Sequence, residues 1–195
     1  NKALKSNHRV ISLASCTTNA LAPVVKVLND KFGVEKGFMN TVHAYTSSQN
    51  IVDGPHKKMR RGRAGAANIV PTTSGATKAV IEVIPELKGK LDGLALRVPV
   101  ACGSIVDFTA LLKKNTDAKN INNAFKEASK KQLKGVLDYT EDEVVSSDII
   151  GTRFSSIVDG LSTQMLGNNF VKVLAWYDNE YGYSNRMVDV IKMLR

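Results

Sequence analysis

Residues 14–46 read ASCTTNALAPVVKVLNDKFGVEKGFMNTVHAYT, and two different periodicities meet in this stretch. From residue 19 to residue 32 the apolar side chains recur every three or four positions, which predicts an amphipathic helix with Pro23 in its opening turn. Residues 34–45 alternate between two faces, which predicts a strand that carries on one side Met39, Thr41, His43 and Tyr45. A helix followed directly by a strand indicates a domain that combines helices and sheet.

Further periodicities extend this pattern along the chain. Residues 8–15 predict a short buried strand that runs into the polar turn before the first helix. Helical spacing recurs in residues 75–87, 120–132 and 184–195, and strand-like alternation recurs in residues 91–100, 104–113, 136–139, 156–159 and 170–177. The sequence therefore predicts a single α+β domain with a mixed, largely antiparallel sheet covered by helices.

Two connections bear on the arrangement of this sheet. Gly103 lies in the short turn between residues 91–100 and 104–113, which favours an antiparallel pair of neighbouring strands. Residues 46–70 lack sustained periodicity, and loops of this length inside a compact domain are usually functional.

The composition is that of an ordinary globular protein. Hydrophobic residues make up 43% of the 195 residues, and no run approaches the roughly 18 apolar residues of a membrane span. The polar, basic start has no apolar segment of a secretory signal, and two cysteines are too few for a disulfide framework. We therefore expect a cytoplasmic protein with no membrane partner.

The chain is basic, with a net charge of +9, and five of the eight residues 56–63 are Lys or Arg. Such a cluster favours anionic partners, although a solvated basic loop is the alternative interpretation. Nucleic acid is a weaker candidate than phosphate, because no aromatic residue is interleaved with the cluster as a base-stacking platform.

Several cofactor motifs are absent from the sequence. It contains no G-x-G-x-x-G, Walker A, H-E-x-x-H or EF-hand pattern. We therefore predict no metal site, and these residues lack the usual turn that binds the phosphates of a dinucleotide.

Cys16 is the candidate nucleophile because it lies at the start of a predicted helix. Unpaired backbone N–H groups and the positive end of the helix dipole there favour a thiolate, and they can also stabilise an oxyanion. The alternative is a small buried apolar side chain. Cys102 has only that second interpretation, and we expect it to be inert. His43, in the middle of a strand, is either a base that activates the thiol or a core residue with satisfied hydrogen bonds.

Nine short motifs, in order and spacing, resemble the glyceraldehyde-3-phosphate dehydrogenase family. They are ASCTTN at 14–19, LAP at 21–23, TVHAYT at 41–46, PHK at 55–57, RRGR at 60–63, PTTSGA at 71–76, PELKGKL at 85–91, RVP at 97–99 and WYDNE at 176–180. The resemblance covers nearly the whole chain and implies the catalytic C-terminal domain. It also implies that the N-terminal NAD-binding Rossmann domain of the family is missing from these residues.

The resemblance implies a role for each matched residue. Cys16 would add to the aldehyde of glyceraldehyde 3-phosphate, and His43 would act as its base. NAD would take the hydride, and inorganic phosphate would attack the resulting thioester. Arg97 and Thr46 would bind the phosphate group of the substrate. The attacking inorganic phosphate would be bound by Ser15, Thr17, Arg63, Ser74 and Gly75. Asn179 and Tyr183 would contact the nicotinamide. Helix capping by Thr17 or Ser74 and a solvated Arg63 are the structural alternatives.

The resemblance also implies an assembly and leaves alternatives open. Residues 46–70 would form an S-shaped loop that packs at a homotetramer interface and reaches the cofactor of a neighbouring subunit. Residues 184–195 would pack against the missing domain, and without it their apolar stripe would be exposed, swapped or rearranged. Gly54 stands where NAD-specific members often carry leucine, so the choice between NAD and NADP stays open. Erythrose 4-phosphate is an alternative substrate, and a non-catalytic fragment that binds anions or partners is an alternative function.

Overall fold

The computed structural model of the chain describes residues 7–194, in which seven strands and four helices are present. In chain order these elements are α1 (Cys16–Phe32), β1 (Val34–Ala44), β2 (Val70–Thr73), α2 (Ala76–Val83), β3 (Leu91–Val98), β4 (Ser104–Leu112), α3 (Ala118–Lys130), β5 (Leu137–Thr140), β6 (Ser156–Leu166), β7 (Phe170–Tyr177) and α4 (Tyr181–Met193). Short 3-10 turns occupy Met59–Gly62, Pro85–Leu87 and Ser146–Ile149. The predicted α+β class is confirmed.

The seven strands form one sheet in the order β2-β3-β1-β4-β7-β6-β5. The pairs β1–β3 and β5–β6 are parallel, and the other four pairs are antiparallel. The prediction that β3 and β4 are antiparallel neighbours is wrong, because β1 lies between them and pairs with both. Two strand spacings amount to roughly 10 Å, which the five residues 99–103 can span. A short connection therefore does not require a hairpin.

A glycine allows β1 and β3 to lie side by side. Gly93 of β3 is opposite Met39 of β1, and a Cβ atom at position 93 would lie 2.2 Å from the Met39 carbonyl oxygen. Since real Cβ atoms do not approach backbone oxygen so closely, this pairing requires glycine.

Helices α1, α2 and α3 pack against one face of the sheet. Their buried residues form one cluster with the interior side chains of the strands, including from α1 Leu21, Val24, Val25 and Leu28, from α3 Ile121, Phe125 and Ala128, and from the sheet Met39, Val106, Phe108, Val173 and Ala175. The alternation predicted for β1 is confirmed, since Met39, Thr41 and His43 are all buried on this face.

The prediction of a buried strand at residues 8–15 is wrong. This segment has no regular secondary structure, and Val10 is 91% exposed. A strand needs a neighbouring strand to pair its backbone groups, but the edges of the sheet are β2 and β5, and neither pairs with this segment.

Two apolar surfaces are left uncovered. The sheet face opposite the helices exposes Phe38, Leu94, Leu166 and Phe170, and the predicted stripe of α4 exposes Met187, Ile191 and Leu194. The stripe is exposed in this single chain, and the packing of residues 184–195 against a further domain stays a prediction. No helix within residues 7–194 combines the length and the apolar character needed to cross a membrane.

Candidate active site

The chain turns sharply into α1, and this turn places Cys16 in the first position of the helix. Ala14 adopts a φ of 60°, a left-handed conformation that costs a non-glycine residue on the order of 1 kcal/mol. Ser15 is the N-cap, and its Oγ accepts a hydrogen bond of 3.1 Å from the Thr18 amide. The helix thus begins three residues before the apolar periodicity does.

His43 faces Cys16 across the gap between β1 and α1. The Cys16 Sγ and His43 Nε2 atoms lie 3.5 Å apart, within hydrogen-bonding distance for sulfur. His43 is 3% exposed because its position in β1 directs it to the helix-covered face. The structure therefore brings together the thiol and the imidazole that the sequence predicts as nucleophile and base.

The proton on the imidazole is assigned from its other nitrogen. His43 Nδ1 lies 2.7 Å from the Ala44 carbonyl oxygen, which can only accept a hydrogen bond. Arg97 Nη1 lies 2.8 Å from the same nitrogen, and as an obligatory donor it would favour the opposite tautomer. Because Arg97 Nη1 also lies 2.9 Å from the Ala44 oxygen, the guanidinium has that acceptor available instead. We therefore place the proton on Nδ1, which leaves the lone pair of Nε2 facing the sulfur.

Burial and Arg97 keep the imidazole neutral. Burial, together with the nearby positive charge of Arg97, lowers the pKa of His43 to about 4, although its hydrogen bond to Ala44 acts in the opposite direction. A neutral imidazole with a free Nε2 can act as a base at neutral pH.

Burial also raises the pKa of the Cys16 thiol, a direction opposite to that expected from its place at a helix start. Hydrogen bonds from the Thr17 hydroxyl and amide and the charge of Arg97 lower it, but their combined effect is smaller than that of burial. Cys16 in this domain is therefore a thiol that needs a base, which makes His43 more important to its reactivity.

The depressed pKa of His43 predicts a loss of stability in acid. Its folded-state pKa of about 4 lies below the unfolded value of 6.5, so the unfolded chain binds more protons between these values. The contribution is fully present above pH 6.5 and falls by about 3 kcal/mol towards pH 4, since one pKa unit corresponds to about 1.4 kcal/mol. Urea unfolding at pH 7 and pH 4 measures it. His43→Gln, which does not titrate, should lose less stability over this range, and an equal loss in both proteins would contradict the assignment.

Arg97 is placed where an anion could bind beside Cys16. It lies opposite His43 in the parallel pair β1–β3, and its Nη1 is 3.5 Å from Thr46 Oγ1. Its Nε is buried, and within residues 7–194 it has no hydrogen-bond partner. A buried donor without a partner is costly, so this atom suits a ligand with acceptor oxygens.

The other residues that the sequence predicts as phosphate ligands have their hydrogen-bond partners in different parts of the domain. Thr17 does not cap α1, because its hydroxyl bonds to Tyr177 and the cap is Ser15. The hydrogen bonds that the structure gives Arg63, Ser74 and Gly75 do not involve Cys16, His43 or Arg97: Arg63 pairs with Asp53, Ser74 accepts from the Ala76 amide, and Gly75 precedes α2. The roles of these three in binding phosphate stay predictions, as do those of the other predicted phosphate ligands.

Asn179 is fixed by the turn between β3 and β4. Its Oδ1 accepts hydrogen bonds of 3.1 Å from the Gly103 amide and 3.0 Å from the Ser104 hydroxyl. Gly103 has a φ of 91°, and a Cβ there would lie 2.3 Å from the Ser146 carbonyl oxygen, so this position requires glycine. Because the oxygen of Asn179 is already occupied, its amide N–H groups are the part left for a ligand.

Tyr183 and Cys102 occupy separate places. Tyr183 is half-buried in a cavity of about 480 Å³ between α4 and residues 8–13. Cys102 Sγ donates to Asp178 at 3.3 Å, and burial, with that carboxylate, raises the pKa of the thiol to about 11. Cys102 therefore stays protonated at neutral pH, in line with the expectation that it is inert.

Two residues of this site were not predicted from the sequence. Tyr177 and Ser104 are buried, and both form hydrogen bonds within this site. The available signal was their strand register: each ends or begins an alternating strand on the face that carries His43. A thiol at a helix start, a neutral imidazole and a guanidinium with a free donor are together typical of thiol-dependent enzymes that act on anionic substrates.

Comparisons with known proteins agree with the motifs. A family model described as "Glyceraldehyde 3-phosphate dehydrogenase, C-terminal domain" matches residues 15–179. The chain is 57% identical over 187 residues to glyceraldehyde-3-phosphate dehydrogenase 2 of Trichormus variabilis, covering 96% of this chain and 56% of that protein. It is 56% identical over 193 residues to glyceraldehyde-3-phosphate dehydrogenase of Borreliella burgdorferi, covering 98% of this chain and 58% of the relative.

The chain therefore belongs to the glyceraldehyde-3-phosphate dehydrogenase family, as a C-terminal domain of that family. It spans little more than half the length of the curated relatives that it matches.

Proposed function

We propose that the chain is the catalytic domain of a phosphorylating glyceraldehyde-3-phosphate dehydrogenase, which forms 1,3-bisphosphoglycerate in glycolysis through a thioester on Cys16. The observation that carries this proposal is the 3.5 Å separation of Cys16 Sγ from His43 Nε2, beside Arg97. Family membership and the anion-accepting character of the Arg97 position support the same substrate class.

The residues divide the reaction between them. Arg97 and Thr46 hold the phosphate of the substrate, so that its aldehyde carbon meets the Cys16 sulfur. His43 Nε2 takes the thiol proton as the C–S bond forms and returns it to the carbonyl oxygen, giving a thiohemiacetal. His43 then removes this hydroxyl proton as a hydride leaves the carbon, which yields the thioester. Inorganic phosphate attacks the thioester carbon and releases the Cys16 sulfur, which forms the acyl phosphate. The attacking phosphate is bound by Ser15, Thr17, Arg63, Ser74 and Gly75.

NAD, or NADP, accepts the hydride when bound. The fixed side chain of Asn179 fits this group, because its Oδ1 is occupied by Gly103 and Ser104 and its N–H groups can donate to the nicotinamide carboxamide. Tyr183 would lie against the same ring.

Phosphate-dependent NADH formation tests the proposal. A full-length protein carrying this chain should reduce NAD with glyceraldehyde 3-phosphate only when phosphate is present. Rates on erythrose 4-phosphate and with NADP decide between the alternatives for substrate and cofactor. Higher kcat/KM for erythrose 4-phosphate would replace the substrate assignment, and no reduction with either aldehyde would favour the non-catalytic alternative.

Residues 1–195 alone should show no dehydrogenase turnover. The reason is that they contain no Gly-rich turn for the phosphates of a dinucleotide, so binding of NAD would rest on few contacts. Robust NADH production by the purified 195-residue chain would contradict this expectation.

We also propose that the full-length protein is a homotetramer and that the uncovered sheet face packs on a second copy. Phe38, Leu94, Leu166 and Phe170 make this face apolar, and a groove of about 690 Å³ runs across it. Lys172 and Asp107 on the same face form an ion pair with each other, so a second copy could cover this part of the face without burying an unpaired charge. We further propose that residues 46–70 contribute to the assembly as the S-shaped loop and that residues 184–195 pack on the rest of the protein. Sedimentation of the full-length protein measures the assembly, and a monomer at micromolar concentration would refute it.

A further inference from the structure

A single buried serine connects the strand that carries His43 to the segment that carries Asn179. Ser104 opens β4 and is 1% exposed. Its Oγ accepts a hydrogen bond of 3.1 Å from the Ala44 amide at the end of β1, and it donates one of 3.0 Å to Asn179 Oδ1, two residues beyond β7. Because His43 Nδ1 contacts the Ala44 carbonyl, Ala44 bonds the imidazole through its oxygen and Ser104 through its amide.

The direction of the hydrogen bonds follows from the donors that are available. A backbone amide can only donate, so Ser104 accepts from Ala44 and keeps its one hydroxyl proton for Asn179. The Gly103 amide lies 3.1 Å from the same atom of Asn179, and as a donor it identifies that atom as the carboxamide oxygen and not the nitrogen. Two donors, an amide and a hydroxyl, therefore hold this oxygen.

The second donor restricts how the Asn179 side chain can move. One hydrogen bond fixes the position of the oxygen but lets the carboxamide pivot about it, and a second bond from another direction removes this freedom. None of the hydrogen bonds within residues 7–194 uses the Asn179 Nδ2 atom. This nitrogen is therefore held in place with its N–H groups free, so the ligand group that it meets must be an acceptor.

We propose that Ser104 is a positioning residue, which holds Asn179 so that its Nδ2 donates to the carboxamide oxygen of the nicotinamide ring. Since Ser104 is also bonded to Ala44, the position of Asn179 is set relative to the end of β1, where His43 faces Cys16. The side chain is ordered before the cofactor binds, so less conformational entropy is lost on binding. This inference rests on the proposed function, which gives Asn179 its contact with the nicotinamide.

Equilibrium binding of two dinucleotides to a full-length protein that carries this chain tests the proposal. Ser104→Ala should weaken binding of NAD, measured by calorimetry, about twofold to tenfold, the range for one side chain that must be ordered on binding. The analogue of NAD with an unsubstituted pyridinium ring lacks the carboxamide, so its dissociation constant should not change. A purely structural defect would weaken both ligands equally. An unchanged ratio of the two dissociation constants would therefore overturn the proposal.

Further serine variants separate the hydroxyl from the packing around it. Ser156→Ala is the matched control, because Ser156 also opens a strand, is fully buried, and has a hydroxyl with no partner among the described residues. It should leave the ratio unchanged. If Ser104→Ala does not fold, Ser104→Cys replaces the hydroxyl by a weak donor and should change the ratio in the same direction, whereas Ser104→Thr should restore it. Equal ratios in the Cys and Thr variants would refute the role of the hydroxyl.

The same measurements distinguish this inference from the proposed function. No binding of NAD by the unmodified protein would contradict the proposed function, and this inference would fall with it. Binding and reduction of NAD by the unmodified protein, together with an unchanged ratio in Ser104→Ala, would overturn this inference alone.

Discussion

Cys16→Ser is expected to abolish acyl-enzyme formation and dehydrogenase activity in a full-length protein that carries this chain. The serine hydroxyl is a far weaker nucleophile than a thiolate near neutral pH, and His43, with its pKa of about 4, is too weak a base to ionise it. We expect a loss of at least about a thousandfold in kcat/KM, as is common when a covalent nucleophile is removed. Mass spectrometry after reaction with the aldehyde and NAD, in the absence of phosphate, should show the thioester adduct on the unmodified protein and no adduct on the variant.

Cys102→Ser is the matched control for this variant. Its thiol is held by Asp178 and stays protonated, since burial and that carboxylate raise its pKa to about 11. The control should therefore keep acylation and nearly all activity. Equal losses in the two serine variants would overturn the assignment of the nucleophile.

His43→Gln is expected to slow acylation of Cys16 by about a hundredfold to ten-thousandfold at pH 7, the usual contribution of a general base. Glutamine is similar in size and can still donate to the Ala44 carbonyl, but it has no basic nitrogen to face the sulfur. The effect should be large because burial raises the pKa of the thiol, so little thiolate forms without the imidazole.

The pH dependence of this variant identifies the cause of its loss. Without a base, the rate depends on spontaneous ionisation of Cys16 and should rise about tenfold per pH unit up to the thiol pKa. The unmodified protein should show a weaker dependence over the same range. His56→Gln is the control, because His56 is exposed and bonds to Lys58 in the loop. A His43→Gln variant with the activity of this control would remove His43 from the mechanism.

The active site shows which structural features can be predicted from a short stretch of sequence. The apolar period of α1 and the polar Ser-Cys-Thr-Thr turn predict that Cys16 lies at a helix start, and α1 does begin there. The alternation of β1 predicts the face that His43 occupies. Both inferences are reliable because they depend on periodicities of 3.6 and 2 residues, which the backbone imposes within one element.

These periodicities do not predict which distant segments of the chain come into contact. The separations along the chain are 27 residues for Cys16 and His43, 54 for His43 and Arg97, and 160 for Thr17 and Tyr177. The prediction of neighbouring β3 and β4 failed for the same reason, because a five-residue connection fits either a direct pair or one that encloses β1.

The sequence by itself determined the fold class, the family and the two elements that present the thiol and the imidazole. Only the tertiary structure decided that β1 lies between β3 and β4 and that Arg97 reaches the Ala44 carbonyl. It also decided that the effect of burial on the pKa of Cys16 exceeds the opposite effect of the neighbouring donors and of Arg97, so that this pKa is raised. The physical reason is that the pKa of a side chain depends on everything packed around it. Its solvent exclusion, charges and hydrogen-bond donors come from strands and helices that meet only in the folded chain.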